Sequence, residues 1–541
     1  MTVNKYHTEV VIAGGGLAGM VTAHELLDAG KKVLLVDKDV KENFGGLAKE
    51  SFGGVLLVDT PQQRRLRIKD SPELALRDWL SYADFGEHDH LPLEWAKLYC
   101  ENSIEYIYQF LEARGIEFLP LVNWPERGAH ISGNSLPRWH IVWGIGHDIA
   151  VRVEAGLANH PHNSLLTLLF EHEVSGFERQ NGKIVGIHGK NMADGSNFTA
   201  NAEHVVVASG GICGGDLSKV RDNWYQPWGK APKLLLNGAH IFADGLLHDQ
   251  VQALGGKLTH LDKQWHYAAG VHHPRDKRPN DGLSLVPPRS ALWLNALGQR
   301  IRNPDPIVGN TDTRHLVESI LKEPGQYSWQ LMNWKIAIKE LAVSGCDYMS
   351  AFRYKRKLEL FKHVLFGNKE LVNRLIKECS QDIVVAQSLP ELVDKMNENN
   401  LWGLETDLGT LTAEIEHYDD QIELGPANFN DEQLLCIKRF RTYRGDRIRT
   451  CKYQKINDSS AMPLIAIREF ILTRKSLGGI QTDLDSRVLD SAGQHIPGLY
   501  AVGEAAGFGG GGVHGRGSLE GTFLGACILT GRRAAMFIAD C

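Results

Sequence analysis

Residues 10–37 place the tightest constraint on what this chain can fold into. A short apolar run, Val10–Ala13, enters Gly14-x-Gly16-x-x-Gly19, and a helical stretch follows with Val21, His24, Leu26 and Leu27 at helix spacing. Gly30 closes that stretch before a second apolar run, Val33–Val36. The pattern is strand, glycine turn, helix, strand. Each glycine has a physical role in it. They permit the tight turn, the approach of backbone to a pyrophosphate, and close packing of helix on sheet, with phosphates held at the helix N-terminus. Asp37 comes 23 residues after Gly14, at the end of the second strand, where a carboxylate can accept both hydroxyls of an adenosine ribose. The alternative, a glycine turn serving packing alone, leaves the rest of the βαβ unit unexplained.

The remainder of the chain is large enough for two or three domains: it has 541 residues, 43% of them hydrophobic and 23% charged. The formal charge of −6 offers no basic excess for a phosphate backbone, so nucleic-acid binding is not expected. Glycine is the outlier, 56 residues or about 10% against an average near 7%. Eight scattered cysteines form no C-x-x-C pair, which reads as reduced thiols and excludes a covalent c-type haem. The run Glu9–Met20 is interrupted by glycine and followed by no cleavage site, so it is not read as a signal peptide. Nowhere do 18 consecutive apolar residues occur, so no transmembrane helix and a cytoplasmic location are expected.

Further glycine-rich segments recur. NFGGLAKESFGG holds Gly45, Gly46, Ser51, Gly53 and Gly54; Val205–Gly211 is a buried-type strand running into glycines; and the end of the chain reads HIPGLYAVGEAAGFGGGGVHGRGSLEGTFLGACILTGRRAA. An N-terminal GxGxxG unit paired with a C-terminal GLYAxGE, a GGGVHG loop and a final apolar helix resembles the FAD-binding fold of the fumarate reductase and succinate dehydrogenase flavoprotein family. That family also contains the 3-ketosteroid dehydrogenases. The segments SFGGVLLVDTPQQRRLRIKDS, ILTRKSLGG and FGGGGVHG are most similar to a branch of FAD-binding dehydrogenases related to the latter.

The resemblance implies an α/β chain: a Rossmann-like FAD-binding domain of the glutathione-reductase type, residues 1–260 with 474–541, and an inserted α+β cap, residues 261–473. It implies that Gly14, Gly16 and Gly19 hold the FAD pyrophosphate and Asp37 the ribose, with Gly45, Gly46, Ser51, Gly53 and Gly54 bordering pyrophosphate and isoalloxazine. Val174 would touch adenine through its backbone, and Gly503 and Glu504 would meet the ribityl chain. A helix beginning near Ser518 and Leu519 would aim its N-terminus at the flavin N1 and O2 edge, where its partial positive charge stabilises an anionic reduced ring. The membrane-bound relatives attach FAD to a histidine of the early flavin loop; this loop has none, so dissociable FAD is expected. No metal is called for.

Catalytic expectations rest on motif matches in and beside the cap. His266 of Gln264-Trp265-His266 matches a substrate-oxygen ligand, although a histidine beside tryptophan also serves structure. SALWLNALGQRIRN resembles a family strand pair and is followed by Asn310-Thr311-Asp312-Thr313-Arg314, whose arginine corresponds to the proton donor of fumarate reduction. Arg289 lies near the positions of the proton relay, which has no clean counterpart. Two departures concern substrate: a clamping histidine of the family falls on Arg474, and a clamping arginine falls on Ser518. Arg474, Lys475 and Arg516 could rebuild an anion site by another geometry. His514 of the glycine loop is either a catalytic group or a support for that loop. Trp124, Trp139 and Trp143, with Arg138 and His140, offer an aromatic pocket for a larger substrate or a core cluster. The basic tract Arg439–Arg449 reads as a solvated helix face.

These residues imply an FAD-dependent oxidoreductase that adds or removes hydrogen across a C–C bond next to a carbonyl or carboxylate of a small-molecule substrate, ketosteroid-like or enoate. The alternatives are a fumarate-type dicarboxylate reductase and a non-redox, flavin-dependent hydratase or isomerase. The sequence shows no second nucleotide motif and no cluster-binding cysteine pattern, so an external electron carrier is expected.

Overall fold

The computed structural model describes residues 3–128, 132–275, 278–309 and 311–541. Its centre is a six-stranded sheet in the order Arg487–Leu489, His495–Ala501, His204–Val207, Val10–Ala13, Val33–Val36, Leu166–Leu169. All neighbours are parallel except the first pair. Val10–Ala13 and Val33–Val36 are buried at every position, as strands covered on both faces must be. The register Val10↔Val33 and Val10↔His204 brings the C-terminal ends of these strands level. Glycine turns leave the sheet there.

Helix Leu17–Asp28 covers one face and packs on the C-terminal helix Thr522–Ala539. Small residues make the contact: a Cβ on Gly531 would press on the Ala18 carbonyl at 2.8 Å. Thr522–Ala539 is long and apolar enough to cross a membrane by length and composition, which the absence of an 18-residue apolar run did not foretell. Because 61% of it is buried inside the protein, we read it as a core helix.

A four-stranded sheet, Val3–His7, Asn197–Asn201, Lys183–Asn191 and His172–Gln180, lies to one side. A third, eight-stranded sheet is organised on the 13-residue strand Leu464–Ser476, which pairs antiparallel with Gln264–His272 and Tyr327–Asn333. Leu236–Asn237 also joins that long strand, so segments on both sides of residue 261 build one sheet, and the expected boundary at 473 falls inside its longest strand. The polar patterns Lys355–Phe366 and Pro390–Asn397 predict helices, and helices Lys357–Phe366 and Leu389–Asn399 form there.

Candidate functional site

The glycine turns open onto a cleft of about 1520 Å³, its mouth included. The motif glycines divide their work. Gly14 has φ +119°, and a Cβ there would overlap the Ala208 carbonyl; a Cβ on Gly19 would overlap the carbonyl of Gly14. Gly16 is different: its missing Cβ meets nothing within 4 Å, and it caps the first helix without a side-chain hydrogen bond. The first-turn amides therefore face the cleft as an open anion cradle. Gly14 and Gly16 line the cleft and Gly19 packs behind them.

Asp37 stands at the end of its strand on the cleft wall, where it accepts the Gly15 amide at 2.5 Å and the Asp39 amide at 2.7 Å. Burial pushes its carboxyl above the ordinary range. Val174 lines the same end, beside Glu173, whose carboxylate pairs with Lys38 at 2.6 Å. Further along are Gly45, Gly46, Ser51, Gly53 and Gly54. A Cβ on Gly54 would overlap the Trp139 indole, which explains glycine there by close packing. Glu504 is half-buried on the cleft wall and accepts the Ser476 amide at 2.8 Å; desolvation raises its pKa to about 7. Gly503 does not reach the cleft; at φ +62° it packs on Ala18 and donates to Thr530 at 2.9 Å.

One expected position requires correction. The last helix begins at Thr522, not near Ser518 and Leu519. The chain turns into it through Gly521 at φ +94°, a left-handed conformation that favours glycine, with the Gly521 carbonyl bound by the Leu56 amide at 2.8 Å. Ser518 and Leu519 lie buried in the preceding turn, whereas Gly521, Phe523 and Leu524 line the cleft. No side chain caps this helix and no acid sits in its first turn, so a second set of free amides faces the cleft.

Of the four catalytic candidates, only Arg474 lines the cleft, and its guanidinium is engaged by the Gly238 carbonyl. Arg314 binds Glu318 at 2.7 Å and the Arg516 carbonyl at 2.9 Å, away from the cleft lining. Asn310, from the same matched segment, lies outside the described residues. His266 is buried against Trp224 and Trp228, with ring centroids 5.0 and 6.0 Å away; burial lowers its pKa to about 3. His514 is stacked on Trp79 at 5.4 Å behind Phe508 and Phe523, again lowered to about 3. Both imidazoles are buried outside the cleft lining, and neither ring nitrogen of either one has a hydrogen-bond partner among the described residues.

Strand alternation supplies what the motif match missed. In Gln264–His272, Trp265 and Tyr267 point one way and His266 the other. Tyr267 lines the cleft and donates its hydroxyl to Glu520 at 2.8 Å; Trp265 also reaches Glu520, at 3.4 Å. Lys475, across the strand pair, donates to the Tyr267 oxygen at 3.2 Å and sits 3.6 Å from the centre of the Phe523 ring. Burial lowers Lys475 to about 8, and burial beside Glu520 pushes the Tyr267 phenol well above its usual range. A phenol, an ammonium and a carboxylate thus form one hydrogen-bonded chain on the cleft wall. No local sequence signal marks it, because its members are brought together only by strand pairing and the turn at Gly521.

The tryptophan segment divides likewise. Trp139 lines the cleft, stacked on Phe52 at 6.0 Å. Trp124 donates to the Asn134 carbonyl at 2.6 Å and Trp143 packs edge-on against Phe352, so neither lines it. Residues 129–131 of this segment lie outside the described residues. Arg138 is fully buried between Asp70 at 2.8 Å and Asp78 at 2.6 Å, and His140, between Thr60 and the Arg138 carbonyl, is lowered by burial to about 4. Arg289 is held by Asp446 at 2.8 Å and Thr450 at 2.9 Å. The basic tract is only partly a solvated face: Arg439, Arg444 and Arg447 are exposed, but its Asp446 is buried as the common partner of Arg127 and Arg289. All eight cysteines are free, and Cys527 lines the cleft with its thiol pushed up to about 12 by burial.

Comparison with known proteins decides the affiliation. The family described as FAD binding domain matches residues 9–524. The chain belongs to this family of FAD-binding flavoproteins. Within it, a KsdD-like steroid dehydrogenase of Mycobacterium tuberculosis is 38% identical, covering 98% of this chain and 96% of the relative. The 3-ketosteroid delta1-dehydrogenase of Sterolibacterium denitrificans has the same fold, with a TM-score of 0.70 at 16% identity over 99% of both chains. A flavocytochrome c3 fumarate reductase superposes with a TM-score of 0.68 at 19% identity, over 99% of this chain and 78% of the other. The expected α/β class holds, and the chain is an FAD-dependent oxidoreductase similar to the KsdD-like steroid dehydrogenases. The cleft fits the family's cofactor: two uncapped helix N-termini face it, and Gly16 leaves open space where any side chain would intrude.

Proposed function

We propose that this protein binds FAD without a covalent link and exchanges hydrogen across a C–C bond next to the carbonyl of a lipophilic, steroid-like ketone. The observation that carries the reading is the aromatic end of the cleft, where Phe52, Trp139 and Phe523 surround the chain Lys475–Tyr267–Glu520. A dicarboxylate would need several uncommitted cations. Here Arg474 is bound to Gly238, Arg314 to Glu318 and Arg516 to Asp84, which favours an apolar ketone over fumarate. The steroid dehydrogenase named among its relatives supports the same choice.

Bound FAD supplies the hydride acceptor or donor. The first-turn amides after Gly16 would hold its pyrophosphate, Asp37 its ribose and Val174 its adenine. Tyr267 moves the proton on the carbon next to the carbonyl: its oxygen takes that proton while its own proton passes to Glu520, and the reverse step returns it. The Lys475 ammonium, donating to the phenol oxygen, stabilises negative charge developing there. The aromatic walls exclude water from the exchange. An external carrier takes or supplies the electrons, and the eight unpaired cysteines support a cytoplasmic setting.

The test is anaerobic. Oxidised holoprotein is mixed with saturated 3-ketosteroids, and dithionite-reduced holoprotein with unsaturated ketosteroids, enoates and fumarate, while flavin absorbance is followed. Bleaching by a saturated ketosteroid, or reoxidation by its unsaturated partner, is the expected result. Reoxidation by fumarate alone would establish the dicarboxylate reductase, and inertness to every compound would leave the non-redox hydratase or isomerase.

A further inference from the structure

Helix Lys357–Phe366 buries none of its residues. Six of the fourteen exposed large hydrophobic side chains among the described residues fall between positions 354 and 366, so the patch is concentrated rather than scattered. Leu358, Phe361 and Leu365 follow one another at intervals of three and four, the spacing of a single helical face, and Phe366 extends it. Leu358 is 81% exposed, Phe361 61% and Phe366 68%. The half-buried side carries Glu359, Leu360 and His363, and Glu359 accepts from Ser350 at 3.3 Å and from Arg356 at 3.1 Å. The helix thus turns an apolar stripe toward solvent.

Lysines surround the stripe. Lys357, Lys362 and Lys369 are exposed and make no ion pair among the described residues, in a chain whose overall charge is −6. Arg353 and Lys355, by contrast, are tied to Asp347 at 2.7 Å and Asp148 at 2.9 Å, which anchors the preceding segment. An apolar face rimmed by unpaired cations matches the boundary between anionic headgroups and acyl chains.

We infer that helix Lys357–Phe366 is a docking element for an anionic membrane surface, with Leu358, Phe361, Leu365 and Phe366 entering the acyl boundary and Lys357, Lys362 and Lys369 meeting lipid phosphates. The helix follows directly on Ser350–Arg353, whose Phe352 packs 5.7 Å from Phe52 on the cleft wall. Docking would therefore bring the cleft beside a reservoir of apolar molecules. That last consequence rests on the proposed ketone substrate; membrane binding itself does not.

The experiment is flotation of the purified holoprotein with vesicles of phosphatidylcholine alone and of phosphatidylcholine with an equal part of phosphatidylglycerol. The wild type is expected to float with the anionic vesicles, to lose binding in high salt, and to bind neutral vesicles at least about tenfold more weakly. Phe361→Ser with Leu365→Ser, and separately Lys357→Glu with Lys362→Glu, should each reduce anionic-vesicle binding by about tenfold or more. All four side chains are exposed, so flavin absorbance and circular dichroism should be unchanged and turnover of a soluble substrate retained. Vesicle binding equal in wild type and variants would overturn the inference. So would a wild type that ignores vesicles but sediments as a dimer that Phe361→Ser dissociates, since the stripe would then join two copies. Failure of ketosteroid turnover with vesicle binding intact would count against the proposed substrate alone.

Discussion

The three glycines of one motif do three separable things, and their substitutions should separate too. A Cβ on Gly14 or Gly19 strikes backbone, whereas on Gly16, at ordinary backbone angles, it meets only the open cleft. Gly16→Ala is therefore expected to keep the wild-type melting temperature of the apoprotein while weakening FAD by about tenfold or more, read by flavin titration. Tyr267→Phe removes only the hydroxyl that links Lys475 to Glu520; turnover should fall by about 10²–10⁴-fold with the flavin spectrum intact. Lys475 carries its charge below about pH 8 and loses it above, because burial disfavours the ammonium. Dehydrogenation should thus decline as pH rises through about 8, and Lys475→Met should be slower at neutral pH and lack that limb in its pH–rate profile. Of these residues, the glycines and Asp37 were legible in sequence because local spacing defines a βαβ unit. Tyr267 and Glu520 were not, since they are 253 positions apart and no local pattern couples them.

Individual elements show where residue identity alone stops being informative. The segment Gln264–His272 is recognisable as an extended run beside a Q-x-H match, yet the side of the strand that faces the cleft depends on which partners it pairs with. Alternation then places Tyr267, and not His266, in the cleft. Arg138 teaches the same lesson just before the strand Trp139–Ile141, which pairs with Gly54–Leu56. In sequence it reads as a pocket cation and is instead the buried partner of Asp70 and Asp78. Arg138→Met would leave both carboxylates without that partner and should destabilise the fold by about 3–5 kcal/mol, measured by denaturant unfolding. Chemistry would be lost only through lost folding, unlike the Tyr267 variant.

At the scale of the molecule, the cleft lies between the parallel sheet and the strand pair that carries Tyr267 and Lys475, so its walls come from distant parts of the chain. Non-covalent FAD is the proposed mode, supported by what reaches the cleft: the loop 43–54 has no histidine, the cleft histidines His172 and His240 lie with Asp37 and Glu173, and burial pushes the Cys527 thiol up to about 12. Acid precipitation of the holoprotein should release all flavin to the supernatant. Flavin retained in the pellet, with a peptide mass increased by FAD, would refute the expectation.

Sequence by itself determined the family, the nucleotide cradle and the helix-and-strand order around it, because those features are written in residues close enough to constrain one another's backbone. It also singled out the glycine-rich loop that borders the cleft and the aromatic segment that supplies Trp139 to it. Only the tertiary structure decided which aromatic residues face the cleft, which arginines are already bound, and that a tyrosine, a lysine and a glutamate are joined by hydrogen bonds. The reason is physical: spacing along the chain fixes local dihedrals, whereas desolvation, strand pairing and ion-pair partnership are set by residues hundreds of positions away.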